Sequence, residues 1–124
     1  MLRTVSLVSG LYDLVVGAVL LFGTNWFAAT CGVAPPVPMI HAKLNAIFLI
    51  CFGIGYLTGP YRDPERYRQF LWIAGPLLKG AGAAAFIIDY FVNNSPRSFL
   101  LFAASDGVLA VWTLVALLSP RKDL

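Results

Sequence analysis

The chain has 124 residues, of which 59% are hydrophobic and only 12% are charged, and its formal net charge is +3. Soluble domains carry about a quarter charged residues, and a water-soluble domain this short buries too little of its surface to hide so much apolar area. The arginines and lysines are scattered near the predicted helix ends and form no basic run. We therefore expect the partner to be a lipid bilayer and not a nucleic acid.

The first predicted helix covers residues 5–29, and Asp13 is its single charged residue. A membrane-spanning helix needs about 20 mostly apolar residues. This stretch is too long for the apolar region of a signal peptide and has a carboxylate in its middle, so we expect it to be retained as a helix. The proline-rich segment 32–38 that follows cannot remain helical.

The second predicted helix covers residues 39–58, and His41, Lys43 and Asn45 lie near its start. We expect it to end at Gly59-Pro60, because proline removes a backbone donor and clashes with the preceding turn. Cys51 lies within this helix, whereas Cys31 lies in the first loop. Their depths in the bilayer differ by more than a disulfide allows, so both are predicted to be free thiols.

The third predicted helix covers residues 66–92 and contains Lys79. The charged segment before it has the composition of a helix start. Asp63 is a suitable N-cap residue, and Pro64 suits the first helical position because its missing N–H would have no partner there.

The fourth predicted helix covers residues 97–118, and Asp106 is its single charged residue. Four spans with short connections predict one transmembrane domain over residues 1–124. Because short loops force neighbouring helices to run in opposite directions, we expect an all-α, antiparallel four-helix bundle.

Lysine and arginine counts in the loops predict the orientation. Six of these cations lie on the side of the two termini and two on the opposite side, and positive loops stay in the cytoplasm. We therefore expect a multi-pass protein of the cell membrane, such as a bacterial inner membrane, with both termini cytoplasmic. The six are Arg3, Arg62, Arg66, Arg68, Arg121 and Lys122, and the two are Lys43 and Arg97.

Each predicted span carries a strongly polar side chain. A rise of 1.5 Å per residue places four of them at similar depth near the bilayer centre. A charged group there costs at least ~2.5 kcal/mol in contact with lipid, so these side chains should face the bundle interior. The single histidine lies one turn before the asparagine, near the outer boundary. The sequence thus predicts a polar network or ligand-binding site formed by Asp13, Asn45, Lys79, Asp106 and His41.

Two interpretations of this network stay open. In the first, Lys79 forms a structural ion pair with Asp13 or Asp106. In the second, the carboxyl left over from that pair binds a ligand head group or relays protons. One histidine and no suitably spaced cysteine predict no metal site, and no catalytic or cofactor-binding motif is present, so no cofactor is expected.

Five short motifs are similar to those of the DoxX-like four-span bacterial membrane proteins. They are Tyr12–Gly17, Gly53–Leu57, Arg62–Arg66, Lys79–Gly80 and Ser105–Gly107. The resemblance extends over nearly the whole chain. It implies a membrane accessory subunit, since some members associate with quinone- or thiol-linked redox systems, and it transfers no catalytic residue.

Three functional hypotheses follow, and a non-enzyme is favoured over an enzyme. The first is an accessory subunit or a binder of a small lipophilic ligand. The second is a proton-coupled transporter of small molecules, which would need a homo-oligomer or a larger membrane complex because four helices enclose little volume. The third is a membrane subunit of a quinone-linked oxidoreductase.

Overall fold

The computed structural model of the protein describes residues 1–120, and the secondary structure of this part of the chain is entirely helical. Arg121 and Lys122, two of the cations in the predicted charge bias, lie outside the described residues. The elements are α1 (Leu2–Phe22), α2 (Thr24–Cys31), α3 (Ile40–Arg62), α4 (Pro64–Trp72), a π-helical segment (Ile73–Lys79), α5 (Gly80–Asn93) and α6 (Phe99–Leu118). The π-helical segment follows α4 and precedes α5 without a break, so the three form one continuous helix.

Four helices are long and apolar enough to cross a membrane: α1, α3, the continuous helix Pro64–Asn93 and α6. Large apolar side chains cover their outer faces, and Phe91 and Leu101 are 75% and 72% exposed. A surface of this kind would promote aggregation in water and suits contact with lipid tails. The prediction of an all-helical chain with four such spans is confirmed.

The single helix predicted over residues 5–29 is wrong, because α1 ends at Phe22 and α2 begins at Thr24. Gly23 leaves the helical conformation, with φ −126° and ψ 41°. Glycine has no side chain to favour a helix there. The Thr24 hydroxyl donates to the Leu20 carbonyl at 2.6 Å, a side-chain bond that often bends helices. The apolar stretch is therefore one span followed by a short second helix.

The predicted end of the second helix at Gly59-Pro60 is also wrong, because α3 continues through Pro60 to Arg62. Pro60 has no N–H to donate to the Tyr56 carbonyl one turn earlier. The Tyr67 hydroxyl of α4 donates to that carbonyl instead, at 3.1 Å. A tertiary contact thus supplies the missing hydrogen bond, and the proline stays within the last turn of the helix.

The third span begins at Pro64, two residues before the predicted start at residue 66, and Asp63 is its N-cap residue as predicted. The Asp63 carboxylate accepts a hydrogen bond from the Arg66 backbone N–H at 3.2 Å. The π-helical segment around Pro76 was not predicted. Proline lacks the N–H of a regular turn, and such wider turns occur frequently at functional sites. This one ends at Lys79.

One end of the bundle is closely packed, and we call it the packed end. The Phe70 ring lies against Tyr56 and Tyr67, with ring centroids 5.2 and 5.8 Å apart. The Arg68 guanidinium donates to the Leu117 carbonyl, which has no partner within α6 because it lies in the last turn. The buried apolar residues of the packed end are Leu2, Val5, Tyr56, Tyr67, Leu71, Ala74, Ala116 and Leu117.

Small residues bring α1 and α3 into close backbone contact, as expected for helices in lipid. A Cβ atom on Gly10 would lie 3.1 Å from the Gly53 carbonyl oxygen, and one on Gly17 would lie 3.0 Å from the Ala46 carbonyl oxygen. Helix α3 packs chiefly against α1, and α5 packs chiefly against α6. Within the described residues, α3 and α5 share no extensive interface, which leaves room between these two helix pairs.

Candidate functional site

Three of the predicted polar residues form one buried charged cluster. The Lys79 ammonium donates to Asp13 Oδ1 at 2.6 Å, and it lies 3.6 Å from Asp106 Oδ1. The side chains of Lys79 and Asp13 are 6% and 2% exposed, whereas that of Asp106 is 20% exposed. The lysine is therefore closely paired with Asp13, and Asp106 is held more loosely.

Aromatic rings complete the environment of the ammonium. Lys79 Nζ lies 5.2 Å from the centroid of the Tyr12 ring and 5.8 Å from that of Tyr56, within the range in which ring faces stabilise a cation. The Tyr12 hydroxyl shares a hydrogen bond of 2.7 Å with Ser105 Oγ, which links α1 to α6 beside the cluster.

Neither Tyr12 nor Ser105 is among the predicted site residues. Each directly precedes an aspartate of the cluster, and both dipeptides belong to the motifs on which the predicted resemblance to DoxX-like proteins rests. Their positions next to Asp13 and Asp106 were the sequence signal that could have identified them as site residues. Only the fold shows that the two side chains meet.

A cavity of about 530 Å³ borders the charged cluster. Its floor is formed by α1 and α6, and its walls are formed by α3 on one side and by the π-helical segment and α5 on the other. Asn45, Phe48 and Leu78 line it and are exposed, so the cavity opens as a cleft between α3 and the π-helical segment. The lining residues are Tyr12, Asp13, Val16, Leu20, Phe27, Asn45, Phe48, Leu49, Phe52, Leu78, Lys79, Gly82, Phe86, Phe99, Phe102 and Asp106.

The walls of this cleft are mainly aromatic. Phe102 lies near Phe27 and Phe86, with ring centroids 5.6 and 5.7 Å apart. A volume of several hundred Å³, apolar walls and a few polar groups are typical of sites for small molecules. The six phenylalanines come from α2, α3, α5 and α6. They are Phe27, Phe48, Phe52, Phe86, Phe99 and Phe102.

The remaining predicted polar residues lie outside the charged cluster. Asn45 lines the cleft, and its side chain forms no hydrogen bond within the described part of the chain. The structure does not bring His41 to the site: it is exposed in the first turn of α3 and does not line the cleft. Lys43 donates to the Leu21 carbonyl at the end of α1, where helical carbonyls lack partners.

The cysteines lie apart from the charged cluster, and both are free, as predicted. Cys31 is buried at the end of α2, where its carbonyl accepts a hydrogen bond of 2.6 Å from the Ser98 hydroxyl. Burial raises the pKa of the Cys31 thiol. Cys51 is exposed on the outer face of the bundle. Among residues 1–120, no group of three His, Cys, Asp or Glu side chains could hold a metal ion.

Comparison with known proteins adds no relative. No family model matches the chain, and no curated protein or solved structure is significantly similar to it. The resemblance to DoxX-like proteins stays a prediction.

Proposed function

We propose that the protein binds a small lipophilic molecule in the cleft between α3 and the π-helical segment, and that it does so without enzymatic activity of its own, as a carrier or an accessory subunit. The observation that carries this proposal is the position of the cleft. It opens on the outer face of the helices, where the exposed side chains are mainly apolar, and it reaches the charged cluster at its floor. A molecule dissolved in the bilayer could enter it without crossing water.

The proposal includes an antiparallel bundle with both termini in the cytoplasm. The contacts of α1 with α3 support opposite directions, because Gly10 lies against Gly53 while Gly17 lies against Ala46. The cations around α4 support a cytoplasmic position for the packed end. The cleft would then lie in the outer half of the membrane, for which we propose a bacterial inner membrane.

A proton-coupled transporter is the second candidate, and the loosely held Asp106 favours it. A carboxyl that borders both a cleft and a lysine could exchange a proton for a ligand. This version requires flux, so purified protein in liposomes should acidify or alkalinise the lumen when substrate is added. Binding without any flux would leave the carrier or accessory-subunit role.

A photoreactive probe tests the proposed binding. We would use 4-benzoylbenzyl alcohol, whose uncharged benzophenone body attaches to nearby C–H bonds under illumination, with the protein in lipid nanodiscs. Peptide mapping should find the label on cleft residues that are not exposed on the outer face, such as Leu49 and Phe102.

The matched variants are Val16→Phe, which fills the cleft, and Val15→Phe, whose neighbouring position faces outward and is 61% exposed. We expect Val16→Phe to reduce cleft labelling by about tenfold, which corresponds to about 1.4 kcal/mol. Val15→Phe should leave it unchanged. Equal labelling of all three proteins, or label found only on outward-facing residues, would contradict a binding site in the cleft.

A further inference from the structure

We infer that the molecule bound in the cleft carries an amine or ammonium head group, which pairs with Asp106. This inference rests on the proposed function and adds the chemical class of the ligand. The apolar body of such a molecule would lie among the phenylalanines, and its head group would reach the charged cluster at the floor.

The first reason is the charge balance of the cluster. One lysine faces two carboxylates, and Asp13 takes the close hydrogen bond at 2.6 Å while being almost completely buried. Asp106 lies 3.6 Å from the same ammonium, is ten times more exposed than Asp13 and lines the cleft. Asp106, the carboxylate with the longer of the two contacts to the lysine, is thus the one that a ligand can reach. An ionised carboxylate only accepts hydrogen bonds, so it selects a donor or a cation.

The second reason is the glycine beside Asp106. A Cβ atom added to Gly82 of α5 would lie 3.7 Å from Asp106 Oδ2, which is an ordinary contact distance. Both residues line the cleft. The glycine therefore places no side-chain atom beside this oxygen, whereas any other side chain would lie in contact with it.

The third reason is the set of charges that any other head group would meet at the floor of the cleft. An anionic head group would meet two carboxylates and only one lysine, and that lysine is already paired. A neutral ligand would fit the walls, but the one lysine would still be shared by two carboxylates.

A matched set of three probes tests the head group. They are 4-benzoylbenzylamine, 4-benzoylbenzyl alcohol and 4-benzoylbenzoate, which share one photoreactive body and differ in charge. Cleft labelling in nanodiscs is measured as a function of probe concentration for the parent and for Asp106→Asn. In the parent we expect the amine to bind most tightly and the carboxylate least. Asp106→Asn should weaken binding of the amine by about tenfold to a hundredfold, which is the range for one hydrogen bond to a charged group. Binding of the alcohol should stay unchanged, because the asparagine carbonyl can still accept a hydrogen bond from its hydroxyl group.

A second pair of variants keeps the test valid if Asp106→Asn folds poorly. Gly82→Ala places a methyl group beside Asp106 Oδ2, and Gly80→Ala adds the same methyl group at a position that does not line the cleft, 3.9 Å from Ala110 Cβ. Both additions are free of clashes. Gly82→Ala should weaken binding of the amine severalfold, and Gly80→Ala should leave its binding unchanged.

The outcomes separate this inference from the proposed function. If all three probes label the cleft with equal affinity in every variant, the cleft binds lipophilic molecules without selecting an amine, and only the inference is overturned. If the carboxylate binds most tightly, Lys79 is the ligand partner and the inference is overturned as well. If no probe labels the cleft, because lipid or a second copy of the chain covers it, both are overturned.

Discussion

The packed end and the cleft are built from the same residue types and differ in how closely those residues meet. Both contain glycines next to aromatic or polar side chains. At the packed end, Gly59 lies so close to Tyr67 that a Cβ atom would be 2.1 Å from the ring, whereas Gly82 in the cleft leaves 3.7 Å to Asp106. Glycine therefore permits close packing at one end and leaves free space at the other. The comparison indicates that the packed end maintains the fold and that the cleft is available for a ligand.

A large contrast is expected from adding one methyl group to each glycine. Gly59→Ala would push a buried tyrosine, and overpacking of this kind costs about 1–3 kcal/mol. Gly82→Ala should stay within about 0.5 kcal/mol of the parent. Reversible unfolding in mixed detergent micelles measures both. Equal losses would mean that the cleft is as closely packed as the other end.

A smaller effect is expected from the hydrogen bond that compensates for Pro60. Tyr67→Phe removes the donor to the Tyr56 carbonyl and leaves that buried acceptor without a partner, so we expect a loss of about 1–2 kcal/mol. Pro60→Ala restores a backbone N–H to the same carbonyl. The double variant should therefore be more stable than Tyr67→Phe alone, and a double-mutant cycle in the same unfolding assay measures the coupling. If the effects of Tyr67→Phe and Pro60→Ala on the free energy of unfolding were strictly additive, the Tyr67 hydroxyl would not be replacing the backbone N–H that Pro60 lacks.

The smallest effect concerns thiol reactivity beyond the cleft. Burial raises the pKa of Cys31, so its reactive thiolate form should appear only at higher pH than in the unfolded chain. In a Cys51→Ser background, reaction with a small neutral maleimide should be slower in the folded protein. As the pH is raised, the reaction rate of the folded protein should still be increasing at pH values where the rate of the detergent-unfolded protein has already levelled off. Identical pH profiles would show that α2 does not protect this thiol.

Much of the fold follows from local sequence, because about 20 apolar residues between turn signals can only cross the bilayer as a helix. Two helix ends could not be predicted in this way. The break at Gly23 depends on a single glycine within an unbroken apolar run. The continuation through Pro60 depends on a hydroxyl from another helix.

The site shows the same limit. Helical rise predicts that Asp13, Lys79 and Asp106 lie at similar depth, but it does not indicate which aspartate takes the lysine. That choice depends on the π-helical turn that carries Lys79, and the aromatic wall exists only once four helices have come together. His41 was included because it precedes Asn45 by one turn, and the fold leaves it exposed.

The different roles of the two aspartates can be measured directly by the free energies of unfolding of Asp13→Asn and Asp106→Asn, side by side in the same micelles. Asp13→Asn leaves a buried lysine without its close partner and should cost about 3–5 kcal/mol, most of which the double variant Asp13→Asn/Lys79→Met should recover. Asp106→Asn should cost less than about 1 kcal/mol, since the remaining pair is neutral and closely bonded. Equal and large losses for the two aspartates would contradict this division and would make the whole cluster a structural lock.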